Sequence, residues 1–261
     1  MKGQNMSERR IKITVMAFFM IGLFVFFGAV LAEVKTPAMG QIVMPPEARE
    51  PGDGLMKTKP RVEDLGKGKY RIGNIQLDKK AGRFSLSGVM LYYEEGGPIE
   101  YMAVMKGGFK SYESVLELDA DAFEFNLACI LIGLDAKGVR LPEYHFDTKP
   151  VDGDAVDIRV SWEEKGKQVE VDLLDLVKLR AEAPKDNRRQ VWSYTGSTFI
   201  EGDRYLAQMH GTLIGVVHDP GSIIEHRLGL GLEQWGFVFT DVERAPPIGT
   251  KVVLTVQRIQ K

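Results

Sequence analysis

Lys110 to Leu134 reads KSYESVLELDADAFEFNLACILIGL. Two serines, a tyrosine and five carboxylates lead into an oily run. The stretch is either a reactive site or the handover from a strand to a buried helix. Ser114 to Leu118 alternates with period two, as a strand does. Asp121 then offers an N-cap. Glu124, three positions on, completes the pattern of a capping box, and the acidic cluster suits the positive end of a helix dipole. Phe123, Leu127, Ile130, Leu131 and Leu134 recur at helical spacing, while Phe125, Ala128 and Ile132 cover much of the remaining circumference. The pattern predicts one largely buried helix over about residues 120–134, with Glu124 and Asn126 as its polar edge and Gly133 near its end. Most of the carboxylates then have a structural role. Ser111, Tyr112, Glu113 and Ser114 stay together as a polar group at the start of the strand.

Outward from this stretch the chain reads as β-structure. YRIGNIQLD (70–78), RFSLSGVMLYYE (83–94) and IEYMAVMKGG (99–108) are short β-rich runs. DAVDIRVSWEE (154–164) and QVEVDLLDL (168–176) flank KGK as a hairpin: Val156, Ile158, Val160 and Trp162 alternate with Asp157, Arg159 and Ser161. STFIE, GD and RYLAQ form a second hairpin. TLIGVVHD, GFVFTDV and KVVLTVQRI add further strands. The expected fold is α+β and mainly β, in antiparallel sheets or a sandwich, as one domain over residues 70–261.

The N-terminus stands apart. Lys2, Arg9, Arg10 and Lys12 precede Ile13 to Ala32, an apolar run without a charge. Two readings stay open: a signal peptide cut after Ala32, or an uncleaved membrane anchor, since ~20 residues span a hydrocarbon core. Both export the rest, to the periplasm or the outside, with the anchored form held in the inner membrane. No cysteine ends the run, so a lipid-modified cysteine is excluded. Residues 33–69, rich in Pro, Gly and charge, read as a linker or arm. Residues 1–32 carry four basic and one acidic residue, so their removal moves the formal charge from −2 to −5. Such a domain is a poor partner for nucleic acid. The single cysteine, Cys129, excludes an internal disulfide, an iron–sulfur cluster and a cysteine-rich zinc site.

Four segments resemble, in order, the YdjY-type domain of exported bacterial proteins: PIEYMAVMKGGFKSYESVLELDADAFEFNLACILIGL, DAVDIRVSWEEKGKQVEV, VWSYTGSTFIEGDRYLAQMHGTLIGVV and PPIGTKVVLTV. They run from about Gly97 to Val256. In the family the stretch after the first strand typically reads His-Glu-Ser. This chain has Tyr112-Glu113-Ser114, so a proton-transfer role for that histidine does not carry over. The cysteine-rich, ferredoxin-like segment of some members is also missing. The resemblance implies an exported domain of no established activity.

Chemistry-bearing residues give two function classes. The first is a non-catalytic module that binds a small molecule or an envelope protein, with Tyr112, Trp192 and Tyr194 as candidate binding residues. The second is a hydrolase using Ser114 or Ser197 with Glu113. No cofactor is expected. His210, His218 and His226 recur every eight residues, too far apart along one strand for a shared ion, and read as solvated loop histidines. Asp152, Asp154 and Asp157 lack the EF-hand spacing that calcium wants. GLGLEQWG (229–236) lacks the third glycine of a dinucleotide loop. No metal site is expected.

Overall fold

The computed structural model describes residues 50–91, 99–179, 192–230 and 238–260. The apolar run 13–32, the arm up to residue 49 and most of the glycine-rich segment 229–236 lie outside the described residues. Among the described residues, no helix is long and apolar enough to cross a membrane.

The chain opens with an antiparallel meander: β1 (Val62–Gly66), β2 (Lys69–Ile72), β3 (Ile75–Asp78) and β4 (Arg83–Met90). Next come β5 (Tyr101–Met105), β6 (Ser114–Leu118) and helix α1 (Ala122–Leu131). A long hairpin follows, β7 (Asp154–Glu164) and β8 (Lys167–Asp172), then the short strands β9 (Val177–Leu179) and β10 (Trp192–Tyr194). The last part holds β11 (Phe199–Ile200), β12 (Arg204–Tyr205), α2 (Leu206–His210), β13 (Thr212–Gly215), β14 (Ile224–His226), β15 (Val238–Thr240) and β16 (Lys251–Arg258).

The fold is mainly β, as expected, but it is not a sandwich. The order β4-β16-β7-β10-β14-β13-β5-β6 returns to β4, which closes an eight-strand barrel. β1, β2 and β3 extend from β4, and β8 from β7. Nor is it wholly antiparallel, because β5 with β6 and β13 with β14 run parallel. Alternation along a strand states which face is buried. It does not state whether that face meets a second sheet or curls onto itself. The arm also ends earlier than its composition suggests, since Val62–Gly66 pairs with Lys69–Ile72.

Period-two patterning builds the core. Leu254 of β16 lies between Leu86 of β4 and Val160 of β7, and Val256 between Phe84 and Ile158. All six are buried. Burial of each such side chain contributes ~1.5–3 kcal/mol. α1 adds Phe125, whose ring meets Phe84 edge-on at 5.3 Å, and Phe123, 5.1 Å from Tyr205. Its start is the predicted capping box: Glu124 N–H donates to Asp121 Oδ1 at 2.8 Å, and Asp121 N–H to Glu124 Oε2 at 3.4 Å. Its end is a left-handed Gly133, φ +92°, with Leu134 N–H reaching back to the Cys129 carbonyl. Ile130, expected on the apolar stripe, is 51% exposed. α1 packs against β3, α2 and β13, and a helix with neighbours on only some sides leaves one side wet.

Candidate functional site

β5 and β6 are parallel neighbours, with Tyr101 opposite Ser114. The chain must therefore return from Met105 to Ser114 within residues 106–113. A parallel crossover usually takes a dozen residues or more. Here Phe109–Glu113 coils as a 3₁₀ turn that runs back beside β5. Gly108 and Gly211 make this close return compatible with the end of α2. A Cβ on Gly211 would strike Gly108 Cα, and Gly211 takes φ +79° as the cap of α2.

The turn delivers Lys110 into a cage. Its Nζ lies 2.6 Å from Glu113 Oε1 and 3.4 Å from Tyr112 Oη. It also sits 5.7, 5.5 and 5.6 Å from the ring centroids of Tyr101, Phe109 and Tyr112. The side chains of Lys110 and Glu113 are only 16% and 14% exposed. Burial acts to lower the Lys110 pKa, but the hydrogen bond and charge of Glu113 outweigh it and hold the ammonium above its ordinary value. Burial pushes the Glu113 carboxyl up. The Lys110 hydrogen bond opposes that push, and the charge of Glu100 reinforces it.

A second acid–base pair lies close by: His145 Nε2 is 3.1 Å from Glu100 Oε2. Burial acts to lower His145, yet the Glu100 carboxylate beside it leaves it raised. His210, at the end of α2, is lowered by burial; Asp219 opposes this, while Lys110 and His145 reinforce it. The mutual influence of Lys110, His145, His210 and Asp219 marks one electrostatic neighbourhood. Beneath it, Tyr101 Oη donates to Asp219 Oδ2 at 2.5 Å, and Asp219 N–H donates to Glu225 Oε1 at 2.8 Å. Burial raises Tyr101 and Glu225 well above their ordinary values.

Several buried polar atoms here have no hydrogen-bond partner: His210 Nδ1, Thr212 Oγ1, Ser111 Oγ, Ser222 Oγ and Glu225 Oε2. Gly221 shows how three polar atoms converge. A Cβ there would lie 2.9 Å from His210 Nδ1, 3.1 Å from Thr212 Oγ1 and 3.2 Å from Asp219 Oδ1. Each unpartnered buried group costs ~1–3 kcal/mol, so a cluster of them is a costly feature for a fold to keep.

The residues singled out in the sequence fall into three groups. Glu113 and Tyr112 belong to the cage. Ser114 and Ser197 are tied to the main chain: Ser114 Oγ donates to the Lys110 carbonyl at 2.6 Å, and Ser197 Oγ lies 3.0 Å from the carbonyls of Pro220 and Gly221. Glu113 is meanwhile engaged by Lys110. Trp192 and Tyr194 are core residues at 1% and 2% exposure; Tyr194 Oη donates to Asn126 Oδ1 at 2.7 Å.

The histidine reading needs correction, because His218 and His226 are buried rather than solvated. The ring nitrogens of His218 face the carbonyls of Asp147 and His226 at 2.7 and 3.1 Å, which fastens the 140–151 loop to this region. Asp152, Asp154 and Asp157 do not gather: Asp154 accepts the Asp135 N–H, and Asp157 lies half-buried between the core residues Val156 and Ile158. Among the described residues, no group of three or more His, Cys, Asp or Glu could hold a metal ion.

Lys110, Glu100 and His145 are the members of the site that pattern-reading missed. Lys110 lies inside the quoted stretch beside Glu113, Tyr112 and Phe109 of the same turn, and only Tyr101 of its cage comes from β5. A separate concavity of about 530 Å³ lies against β4, β6, β7 and β16, lined among others by Ser87, Glu117 and Trp162.

A closed β-barrel carrying a half-buried acid–base cluster on a 3₁₀ return is thus the kind of protein the fold defines. The YdjY domain model matches residues 75–257, well over half of the chain, and the chain belongs to that family. No curated protein and no solved structure matches it.

Proposed function

We propose that the chain is an envelope module, exported or held at the membrane by residues 13–32, that binds a small polar ligand beside the Lys110–Glu113 pair. The observation that carries this reading is the convergence of two half-buried acid–base pairs, Lys110–Glu113 and His145–Glu100, next to the unpartnered His210 Nδ1 and Thr212 Oγ1. Desolvated pairs and orphaned polar atoms cost stability. A ligand that offers both donors and acceptors recovers part of that cost on binding. His145, with its side chain 38% exposed, is the edge through which the cluster meets solvent. The basic flank ahead of the apolar run supports export of the domain. The hydrolase reading has no comparable support, since both serine hydroxyls are spent on main-chain carbonyls.

The test is a thermal-shift screen of the full chain in detergent against amino acids, sugars and dicarboxylates. At least one class should raise the melting temperature, and the rise should vanish in Glu113→Gln and shrink in His210→Gln. If every hit keeps its full effect in both variants, the site is elsewhere. A phosphatase fused after Lys261 should be active, because that enzyme works only once exported; an inactive fusion places the domain on the cytoplasmic side.

A further inference from the structure

Two neighbouring strands of the barrel part company at one end. β16 and β7 pair from Arg258 and Val156 as far as Val253 and Ser161, and their ladder stops there. Both strands run on. β7 continues to Glu164 with only β8 beside it, and β16 reaches back to Lys251 with only β4 beside it. A strand aims main-chain N–H and C=O groups at both of its neighbours. Residues 162–164 and 251–252 thus each lack a strand on the side where the other strand would lie, and among the described residues no main-chain hydrogen bond joins the two overhangs. The concavity of about 530 Å³ lies in this fork, lined by Trp162 and Glu163 on one side and by Lys251 and Val253 on the other. Cavities that hold ligands have ~300–1,000 Å³. Val253 is 41% exposed between the buried Val252 and Leu254, so it faces away from the core. Lys251 and Glu163 are exposed and of opposite charge. The fork shares no residue with the Lys110–Glu113 cluster and stands apart from the reading given to it.

We infer that this fork binds an extended peptide segment, which adds as a short strand along the overhangs. The argument for that occupant is the main chain. A peptide offers N–H and C=O groups at the repeat of a strand, which is what the two overhangs lack. A sugar chain has no such repeat, and a neutral one makes no use of a cation and an anion set on opposite sides. Overhangs of two residues on β16 and three on β7 take a segment of about three or four residues at ~3.3 Å each. Side chains of such a segment point alternately to its two faces. One set meets Val253, so apolar residues belong there. Lys251 favours an acidic residue on the β16 side, and Glu163 a basic one on the β7 side. The partner is therefore an extended stretch in which apolar residues alternate with charges of both signs.

The test presents the full chain, in detergent, to fluorescent hexapeptides in which valine or leucine alternates with lysine and glutamate in every order. One charge order should bind better than the rest, and its binding should slow hydrogen exchange at 162–164 and 251–252. Methyl groups on alternate peptide nitrogens should weaken it about tenfold when they fall on the pairing side, and should leave it unchanged on the other side. The double variant Glu163→Lys with Lys251→Glu should reverse the preferred charge order. Both positions are exposed, so this variant keeps the fold. Val253→Arg should abolish binding. No binding by any hexapeptide overturns the inference, as does a charge order that the double variant leaves unchanged. Equal effects of the two methylation series reject strand addition and with it the inference. Protection of the same amides by cellohexaose, and by no peptide, assigns the fork to a sugar chain and overturns the peptide assignment.

Discussion

An ammonium group as shielded as that of Lys110 needs a counter-charge, and Glu113 supplies it at 2.6 Å. Removing one partner leaves the other half-buried and unpaired. Lys110→Met should therefore destabilise the fold by ~1–3 kcal/mol in urea, below the penalty for a fully buried pair because some solvent reaches the site. The two nearby histidines should respond to pH in opposite senses. The folded-state pKa of His145 is raised, so its contribution is complete below the unfolded value near ~6.5 and is lost as pH rises through the folded value. His210 is lowered, so the unfolded chain binds more protons between its folded value and ~6.5, and stability rises with pH across that window. Unfolding free energies measured from about pH 5 to about pH 8 should show that His145→Gln loses most against wild type at the acid end. His210→Gln should relieve a penalty at that end. Equal effects at all pH values would mean that neither imidazole is coupled as the distances suggest. None of this coupling is legible in sequence. His145 and Glu100 are far apart along the chain, and no periodicity relates them. The crowding of Ser111, Tyr112, Glu113 and Ser114 ahead of a strand marks the turn but not its partners.

At the scale of elements, α1 was readable because its signals are local. Asp121, Glu124 and the apolar stripe lie within a few turns of one another, and the cap geometry follows from spacing alone. Asp121→Ala should cost ~1 kcal/mol and leave ligand binding unchanged. The 3₁₀ return was not readable, since its shape depends on two strands lying side by side in parallel with too few residues between them. β1 was hidden for a different reason. Its residues Val62–Gly66 are mostly exposed, as suits a strand at the edge of a sheet, and a charged edge strand has the composition of a linker. Gly211 links these elements, because it stops α2 in a left-handed turn and lies against Gly108 at the mouth of the return. Gly211→Ala should cost ~2–4 kcal/mol, from strain and from collision with backbone. Unlike Asp121→Ala, it should also abolish the thermal shift given by ligand, because displacement of Gly108 moves Lys110.

At the scale of the molecule, the barrel depends on one short seam. β4 serves two neighbours along a single edge: Arg83 to Ser85 pair with β3, and Gly88 to Met90 with β6. The first pairing extends the sheet, and the second closes it. Alternating residues in β4, β7 and β16 announce a half-buried sheet, but closure is decided by three residue pairs with no signature in the pattern: Gly88 with Leu118, Val89 with Glu117 and Met90 with Leu116. Gly88 is the point of closest approach. A Cβ there would stand 2.7 Å from the Glu117 carbonyl oxygen and 2.7 Å from Leu118 Cδ2. The carbonyl belongs to the β6 backbone and cannot yield without parting the strands. Gly88→Val should therefore cost ~2–4 kcal/mol and act on the seam before the rest of the barrel. Hydrogen exchange gives the decisive readout. Amides of residues 88–90 and 116–118 should lose protection in the variant, while those of residues 156–161 and 253–258, where β7 pairs with β16, keep theirs. Because β6 begins at Ser114 and carries the 3₁₀ return on its leading end, an opened seam should also loosen the Lys110–Glu113 pair. Loss of protection in β7 and β16 to the same degree would show that the barrel opens as one unit and that the seam holds no special place in it.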